Sequence, residues 1–410
     1  MDSLCRQCST PLRQSFCDLG MSPLANSYLT EADLDHGEMF YPLHAYVCME
    51  CHLVQLAEFQ SPEAIFGDYL YFSSYSQSWL DHARKYVTDT IGRFHLDGDS
   101  QVIEIASNDG YLLQYFDQAG VPTLGIEPAK NVAAVARGRG INTKVAFFGT
   151  SLAKELTGEE TYADLLIGNN VLAHVPDLND FVQGMSIVLA SDGLITLEFP
   201  HLLELIELNQ FDTIYHEHFS YFSLLTVTRF FEIHGLRVFD VEQLPTHGGS
   251  LRIYACHYDY GGHPTTRRVP ELIEIERARG LDRLGAHVAY PERVKRAKRA
   301  LLSFLFDVQD HGLSVVGYGA PAKGNTLLNY CGIGTDLLQY TVDRSPHKQG
   351  RFLPGTHLPI CAPDHIRETR PDFVLILPWN LRDEIIADIS YIREWGGKFV
   401  IPIPDLVVVD

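Results

Sequence analysis

From Gln101 onward, short apolar runs alternate with segments whose apolar residues recur at helical spacing, as a parallel sheet with helical crossovers requires. The runs predict strands at residues 102–105, 123–126, 164–168 and 193–199. Strand-like segments follow at residues 237–241 and 251–258. Residues 271–311, rich in Glu, Arg, Lys, Leu and Ala, then predict one or two long helices that join domains. A second alternating unit starts at Leu313, with strands at residues 315–318, 338–342, 373–377 and 398–401. Upstream of Gln101 the pattern is different. Residues 5–56 are short strands and turns, with strands at 16–19 and 39–47, and residues 61–96 are helical around a dense aromatic run from Tyr69 to Tyr75. The expected fold class is α/β, in five parts. These are a ribbon (1–60), a helical and aromatic connector (61–100), a Rossmann-like domain (101–241), a strand and long helical connector (242–312) and a second Rossmann-like domain (313–410).

Length and charge narrow the function. A chain of 410 residues can bury several cores. With 52 acidic against 32 basic side chains, the formal charge of −20 opposes binding to phosphate backbones and anionic membranes, so neither nucleic acid nor membrane is expected as a partner. A small anionic substrate remains possible where donors cluster locally. No charged start followed by an apolar run opens the chain, and the apolar stretches are too short for a bilayer, so a cytoplasmic protein is expected, a monomer or small homo-oligomer.

Four of the eight cysteines form two Cys-x-x-Cys pairs, Cys5 with Cys8 and Cys48 with Cys51. Each pair can clasp one side of a tetrahedral Zn²⁺, and four thiolates close the coordination sphere, so the expected metal is structural zinc. The strand ending at Ile105 runs into the polar turn Ala106-Ser107-Asn108-Asp109-Gly110, which lacks the three-glycine dinucleotide fingerprint. Glu127, at the end of the next strand, is placed to hold both hydroxyls of a ribose. Acids at Glu104, Asp109 and Glu127 suit S-adenosylmethionine, whose sulfonium and ammonium are positive and which carries no phosphate. Ala106, Asn108, Asn169 and Asn170 complete the expected cofactor-binding set, the last two on a polar turn at the same sheet edge.

Residues 211–221 pack His216, His218, Tyr215, Tyr221, Asp212 and Glu217 together. Histidine is the natural base near neutral pH, and a neighbouring carboxylate can fix its tautomer. A metal site at His216 and His218 is disfavoured, because residues two apart are poorly placed on one helix face. In His247-Gly248-Gly249 the glycines let backbone approach a ligand, while Arg252 can stay behind to pair an acid. Finally, the turn from Gly317 to Asn325 places Lys323 in the first turn of a helix, a ready pyrophosphate site, and the next loop adds Arg344 and Lys348. Tyr318, Lys323, Asn325, Arg344 and Lys348, with His247, Gly248 and Gly249, form the expected substrate-binding set.

Taken in order, the cysteine pairs, Glu-Ile-x-x-Asn-Asp-Gly, Asn-x-x-x-His-x-Pro, Tyr-x-Glu-His-Phe, His-Gly-Gly and Gly-Tyr-Gly-Ala-x-Ala-Lys resemble the nucleotide-sugar C-3 methyltransferases that act on 4-keto deoxyhexoses. The resemblance covers nearly the whole chain. It implies a zinc-binding domain, a central S-adenosylmethionine domain, a C-terminal domain that holds the nucleotide sugar, and a dTDP-linked 4-keto-6-deoxyhexose as the preferred partner. It further implies active-site roles for Tyr71, His174, Tyr215, Glu217 and His218, with His218 as the base. The residues departing from the common pattern are Ile105-Ala106-Ser107, where many methyltransferases have glycines. Two rivals remain open at the level of sequence: a zinc-ribbon adaptor without catalysis, and a methyltransferase acting on RNA or another small molecule.

Overall fold

The computed structural model describes residues 3–61, 72–75 and 77–410. Tyr69, Tyr71 and the rest of residues 62–71 lie outside the described residues. Near the N-terminus the strands Gln14–Ser22, Tyr41–Val47 and Val54–Leu56 form an antiparallel sheet whose fourth strand, Ser220–Tyr221, comes from the middle of the chain. Alternation explains the sheet's inner face: Leu43, Ala45 and Val47 are buried, while Pro42 is exposed and His44 and Tyr46 are partly exposed.

The central sheet has seven strands, in the order Leu236–Leu244, Ser250–His257, Leu189–Pro200, Ala163–Asn169, Val102–Ile105, Thr123–Ile126 and Thr143–Lys144. Only Ser250–His257 runs against the others. This strand, which sequence grouped with the connector, thus hydrogen-bonds between two strands of the central sheet. The chain moves outward from Val102–Ile105 to one edge and then returns to its other side through Ala163–Asn169. That reversal opens a crevice at the carboxyl ends of these two strands. Helix Gln77–Phe94 covers the face nearby, its Tyr86 hydroxyl bonded to Thr196 at 2.5 Å.

A third, six-stranded sheet has the order Ile360–Cys361, Thr341–Val342, Val315–Tyr318, Phe373–Ile376, Lys398–Ile401 and Val407–Val409. All its pairings are parallel except the last. Its own reversal lies between Val315–Tyr318 and Phe373–Ile376, which places a second crevice at Gly319 and Pro378.

The connector is three helices, Arg268–Ala278, Leu284–Val288 and Tyr290–Asp310, rather than one or two. Gly280, at φ +81°, terminates the first, and Pro291 sits in the opening turn of the third, where its missing N–H costs nothing. In the first helix Glu276 is fully buried, yet its two oxygens accept the Leu224 and Leu225 N–H groups at 2.7 and 2.8 Å and one meets His201 at 2.7 Å. A buried carboxylate is thereby satisfied at a helix N-terminus. The long third helix bridges the N- and C-terminal units: Tyr290 stacks on Phe16 at 4.8 Å, and Leu301 and Leu305 share a core with Leu43, Leu328 and Val374. Among the described residues, no helix is long and apolar enough to cross a membrane.

Candidate active site

Four sulfur atoms converge where the N-terminal sheet turns. The Sγ atoms of Cys5, Cys8, Cys48 and Cys51 all lie within 4.8 Å of one another, with Cys5–Cys51 and Cys8–Cys48 at 3.5 Å. A tetrahedral zinc with Zn–S bonds near 2.3 Å needs sulfurs about 3.8 Å apart, so this cage fits the ion. Gln55 Nε2 donates to Cys5 Sγ at 3.2 Å, a contact that stabilises thiolate charge.

At the central crevice the backbone takes a tight course. Ala106, Asn108 and Gly110 all have positive φ (+55°, +50° and +78°), and a Cβ on Gly110 would stand 2.9 Å from Ile141. Glu127 holds this turn by accepting the Asn108 and Ala129 N–H groups at 2.9 and 2.8 Å. Several buried polar atoms at the two strand ends have no partner: Glu104 Oε2, Ser107 Oγ, Asp109 Oδ1 and Asn169 Oδ1. Burial, with Glu127 and Asp109 adding repulsion, drives the Glu104 carboxyl well above its usual range. Acids crowded in a dry crevice call for a cation, which the sulfonium and ammonium of S-adenosylmethionine supply. The residues present therefore fit that cofactor. Segment 72–75 closes over the turn: Ser73 N–H donates to Asn108 Oδ1 at 2.9 Å, Ser74 Oγ bonds Asp109, and Arg139 pairs with Asp109 at 3.2 Å.

Beside this crevice lie the histidines. Phe219 N–H donates to Ala173 O at 2.7 Å and His174 Nδ1 to Glu217 O at 2.7 Å, which brings the two segments together. His218 Nδ1 donates to the Thr213 carbonyl at 3.0 Å, and Tyr215 Oη meets Nε2 at 2.8 Å. Since a carbonyl can only accept, Nδ1 carries the hydrogen and Nε2 presents a lone pair to Tyr215. Burial, helped by His174, holds His218 well below its ordinary pKa, so the ring is neutral. The same burial takes His174 and His247 down to about 4. Glu217 is pushed up to about 7 by burial, against a 2.6 Å hydrogen bond from Asn26. His216 faces the other way, toward Pro42 and the Tyr41 and Phe59 rings. His216 and His218 point apart because residues 214–219 form a turn; on a strand, residues two apart would share a face.

The second crevice opens toward the same cluster. His247, at φ +56°, sits 3.4 Å from Asn170 and has Trp79 against its ring at 5.3 Å. A Cβ on Gly248 would stand 2.5 Å from the Trp379 ring and one on Gly249 2.6 Å from Glu204, so both positions exclude side chains. Lys323 is half-buried over Trp379, bonded to Asn380 at 2.8 Å, its pKa lowered by desolvation despite Asp212. Asp212, raised to about 6 by burial, accepts from Trp379 Nε1 at 2.7 Å and leaves Oδ1 unpartnered. Both amide atoms of buried Asn325 lack partners. Lys348 donates to Ala320 O at 2.9 Å beside the Tyr28 ring. Arg344 is half exposed and already pairs with Glu384 and Asp388, and its Nε reaches the Tyr318 hydroxyl at 3.2 Å. Arg252 pairs with buried Glu198, as its position beside the glycines suggests, and Glu198 also holds His82 at 3.0 Å.

Known proteins share this plan. Residues 5–66 match a family described as a zinc binding domain, residues 79–241 a methyltransferase domain, and residues 245–404 the C-methyltransferase C-terminal domain. C-methyltransferase NovU of Streptomyces niveus is 38% identical over 401 residues, which are 98% of this chain and 95% of that one. The chain belongs to the C-methyltransferase family. Among solved structures, the PH0226 protein of Pyrococcus horikoshii (15% identity, TM-score 0.37) covers 48% of this chain and 99% of its own. Magnesium protoporphyrin IX methyltransferase of Synechocystis (15%, TM-score 0.36) covers 48% and 92%. Likenesses of this order leave the assignment to the sequence match.

This C-methyltransferase is S-adenosylmethionine-dependent and carries a zinc site. Its structure brings together His174, Tyr215, Glu217, His218 and His247, and it adds groups that sequence did not single out as site residues, Trp79, Asn26 and Trp379, the last bonded to Asp212 of the 211–221 cluster. Asp212 and Trp379 stand 167 positions apart, so no local pattern announces their bond. A signal existed for Trp79, one of only three tryptophans, just after the aromatic run.

Proposed function

We propose that this C-methyltransferase places a methyl group on C-3 of a nucleoside-diphosphate-linked 4-keto-6-deoxyhexose, with dTDP as the carrier. A carbonyl at C-4 acidifies the neighbouring C–H, because the electron pair left behind delocalises into the oxygen as an enolate. One observation carries the reading: the Nδ1 bond to Thr213 leaves the His218 lone pair on Nε2, where it accepts from the Tyr215 hydroxyl beside a second imidazole.

His218 Nε2 takes the C-3 proton. Its depressed pKa keeps it unprotonated beforehand, and the negative charge of substrate and developing enolate then stabilises the imidazolium. Tyr215 moves its hydroxyl from Nε2 to the enolate oxygen, where Tyr71 adds a second donor, while His174, its one hydrogen held by the Glu217 carbonyl, packs against the His218 ring at 4.8 Å. Such preorganised donation is worth about 3 kcal/mol of barrier. Glu217, backed by Asn26, orients its neighbours rather than acting as base. Glu104, Asp109 and Asn169 hold the charged end of S-adenosylmethionine and Glu127 its ribose, with Ala106, Asn108 and Asn170 shaping the turn. The cofactor, when bound, supplies an electrophilic methyl group on a sulfonium. Segment 72–75 keeps water from the crevice. Lys323, Asn325 and Lys348 receive the diphosphate and sugar with His247, Gly248, Gly249, Tyr318 and, once freed from its acids, Arg344.

The test is incubation with labelled cofactor and a panel of dTDP-, GDP- and CDP-linked 4-keto-6-deoxysugars, read by mass spectrometry. One dTDP sugar should gain a labelled methyl. Labelling of none of the panel, by protein that binds the cofactor, contradicts the substrate class.

A further inference from the structure

The turn Cys5-Arg6-Gln7-Cys8 carries, between two metal ligands, an arginine whose side chain is only 10% exposed and whose Nη1 faces the Glu58 carboxylate at 3.9 Å. Arg6 Nη2 donates to Leu56 O at 2.6 Å and Nη1 to Pro176 O at 3.1 Å. Its guanidinium lies over the Phe219 ring, 4.9 Å from the centroid. Its own N–H donates to Gln55 Oε1 at 2.9 Å, while the Gln55 amide reaches Cys5 Sγ. Asn179 Nδ2 holds the Arg6 carbonyl at 2.8 Å. Phe219 directly follows His218, and Pro176 stands two residues after His174. Strand Val54–Leu56, which contains Gln55, also pairs with Ser220–Tyr221, the continuation of the histidine segment. Zinc with four thiolates carries two net negative charges, one of which the neighbouring Arg6 guanidinium offsets.

We propose that Arg6 is a positioning residue that ties the zinc knuckle to both histidine segments, so that metal occupancy sets the order of the loop bearing His218. Zinc fixes the Cys5–Cys8 turn, the turn fixes the Arg6 backbone, and the guanidinium then clamps Pro176 and Phe219 from one side. The consequence for turnover rests on the reading of His174 and His218 as catalytic. The mechanical link does not.

Hydrogen exchange separates the two. The amides of His174, His218 and Phe219 are hydrogen-bonded to Val171, Tyr215 and Ala173 and report the order of these segments without substrate. In zinc-loaded Arg6→Met they should exchange about tenfold faster or more, with full zinc content, unchanged cofactor affinity and kcat lowered about tenfold to a hundredfold. Stripping zinc from the unaltered protein with a chelator should raise exchange in the same segments. Should Arg6→Met fail to fold, Arg6→Lys carries the same test, because an ammonium keeps the charge but cannot span two carbonyls and a ring together. Unchanged exchange in the zinc-loaded variant, or segments still protected after stripping, overturns the link. Faster exchange with undiminished kcat supports the link and instead removes His218 from the base role.

Discussion

A proton-accepting role for His218 depends on one lone pair. An asparagine there can mimic the Nδ1 contact to Thr213 but cannot take a proton. Replacing His218 with Asn should therefore lower kcat about a hundredfold or more while calorimetry finds cofactor affinity unchanged; undiminished turnover would exclude the role. Glu217 offers a separate test through pH. Its folded pKa of about 7 exceeds the ordinary 4.5, so the folded state binds the extra proton between these values. Its contribution to stability is fully present below pH 4.5 and is lost as pH rises through about 7. Relative to the unaltered protein, Glu217→Gln should gain about 3 kcal/mol across that window in denaturant titrations. A difference independent of pH would show that the carboxyl is not perturbed. At this scale the sequence was informative where chemistry is local. Tyr215 and His218 stand three apart and meet, whereas Asp212 meets Trp379 and Glu217 meets Asn26 only because distant units dock.

Elements were legible where they are long enough to show a period. The parallel strands at residues 102–105 and 123–126 appear where their apolar runs place them, and the cysteine spacing fits the metal cage. The two- and three-residue strands Ser220–Tyr221 and Val54–Leu56 show no period, and their pairing joins the N-terminal sheet to the histidine segment. Cys48→Ser opens the cage and should release zinc and lower the melting temperature, as metal analysis and calorimetry would report. Gly248→Ala forces a Cβ against Trp379 at a positive φ. It should cost about 1–3 kcal/mol and raise KM for the sugar nucleotide, while leaving cofactor binding unaltered. An unchanged KM would place the sugar nucleotide elsewhere.

At the scale of the whole molecule, the parts read separately along the chain meet at one cluster. The N-terminal unit sends Asn26 to Glu217 and Arg6 to Phe219, the central sheet supplies the cofactor crevice, and the C-terminal unit brings Lys323 and Trp379 to Asp212. Alternation along the chain exposes each sheet but not the docking of one on another, which rests on single hydrogen bonds and on a core shared by Phe16, Tyr290 and Leu328. The proposed reaction delivers the methyl group to a carbon beside a ketone. The most direct measurement is carbon NMR of the product formed from ¹³C-methyl cofactor and a dTDP-4-keto-6-deoxyhexose. The expected product carries the labelled methyl on C-3, next to the C-4 carbonyl. A labelled methyl on a hydroxyl oxygen or on the nucleobase would contradict it.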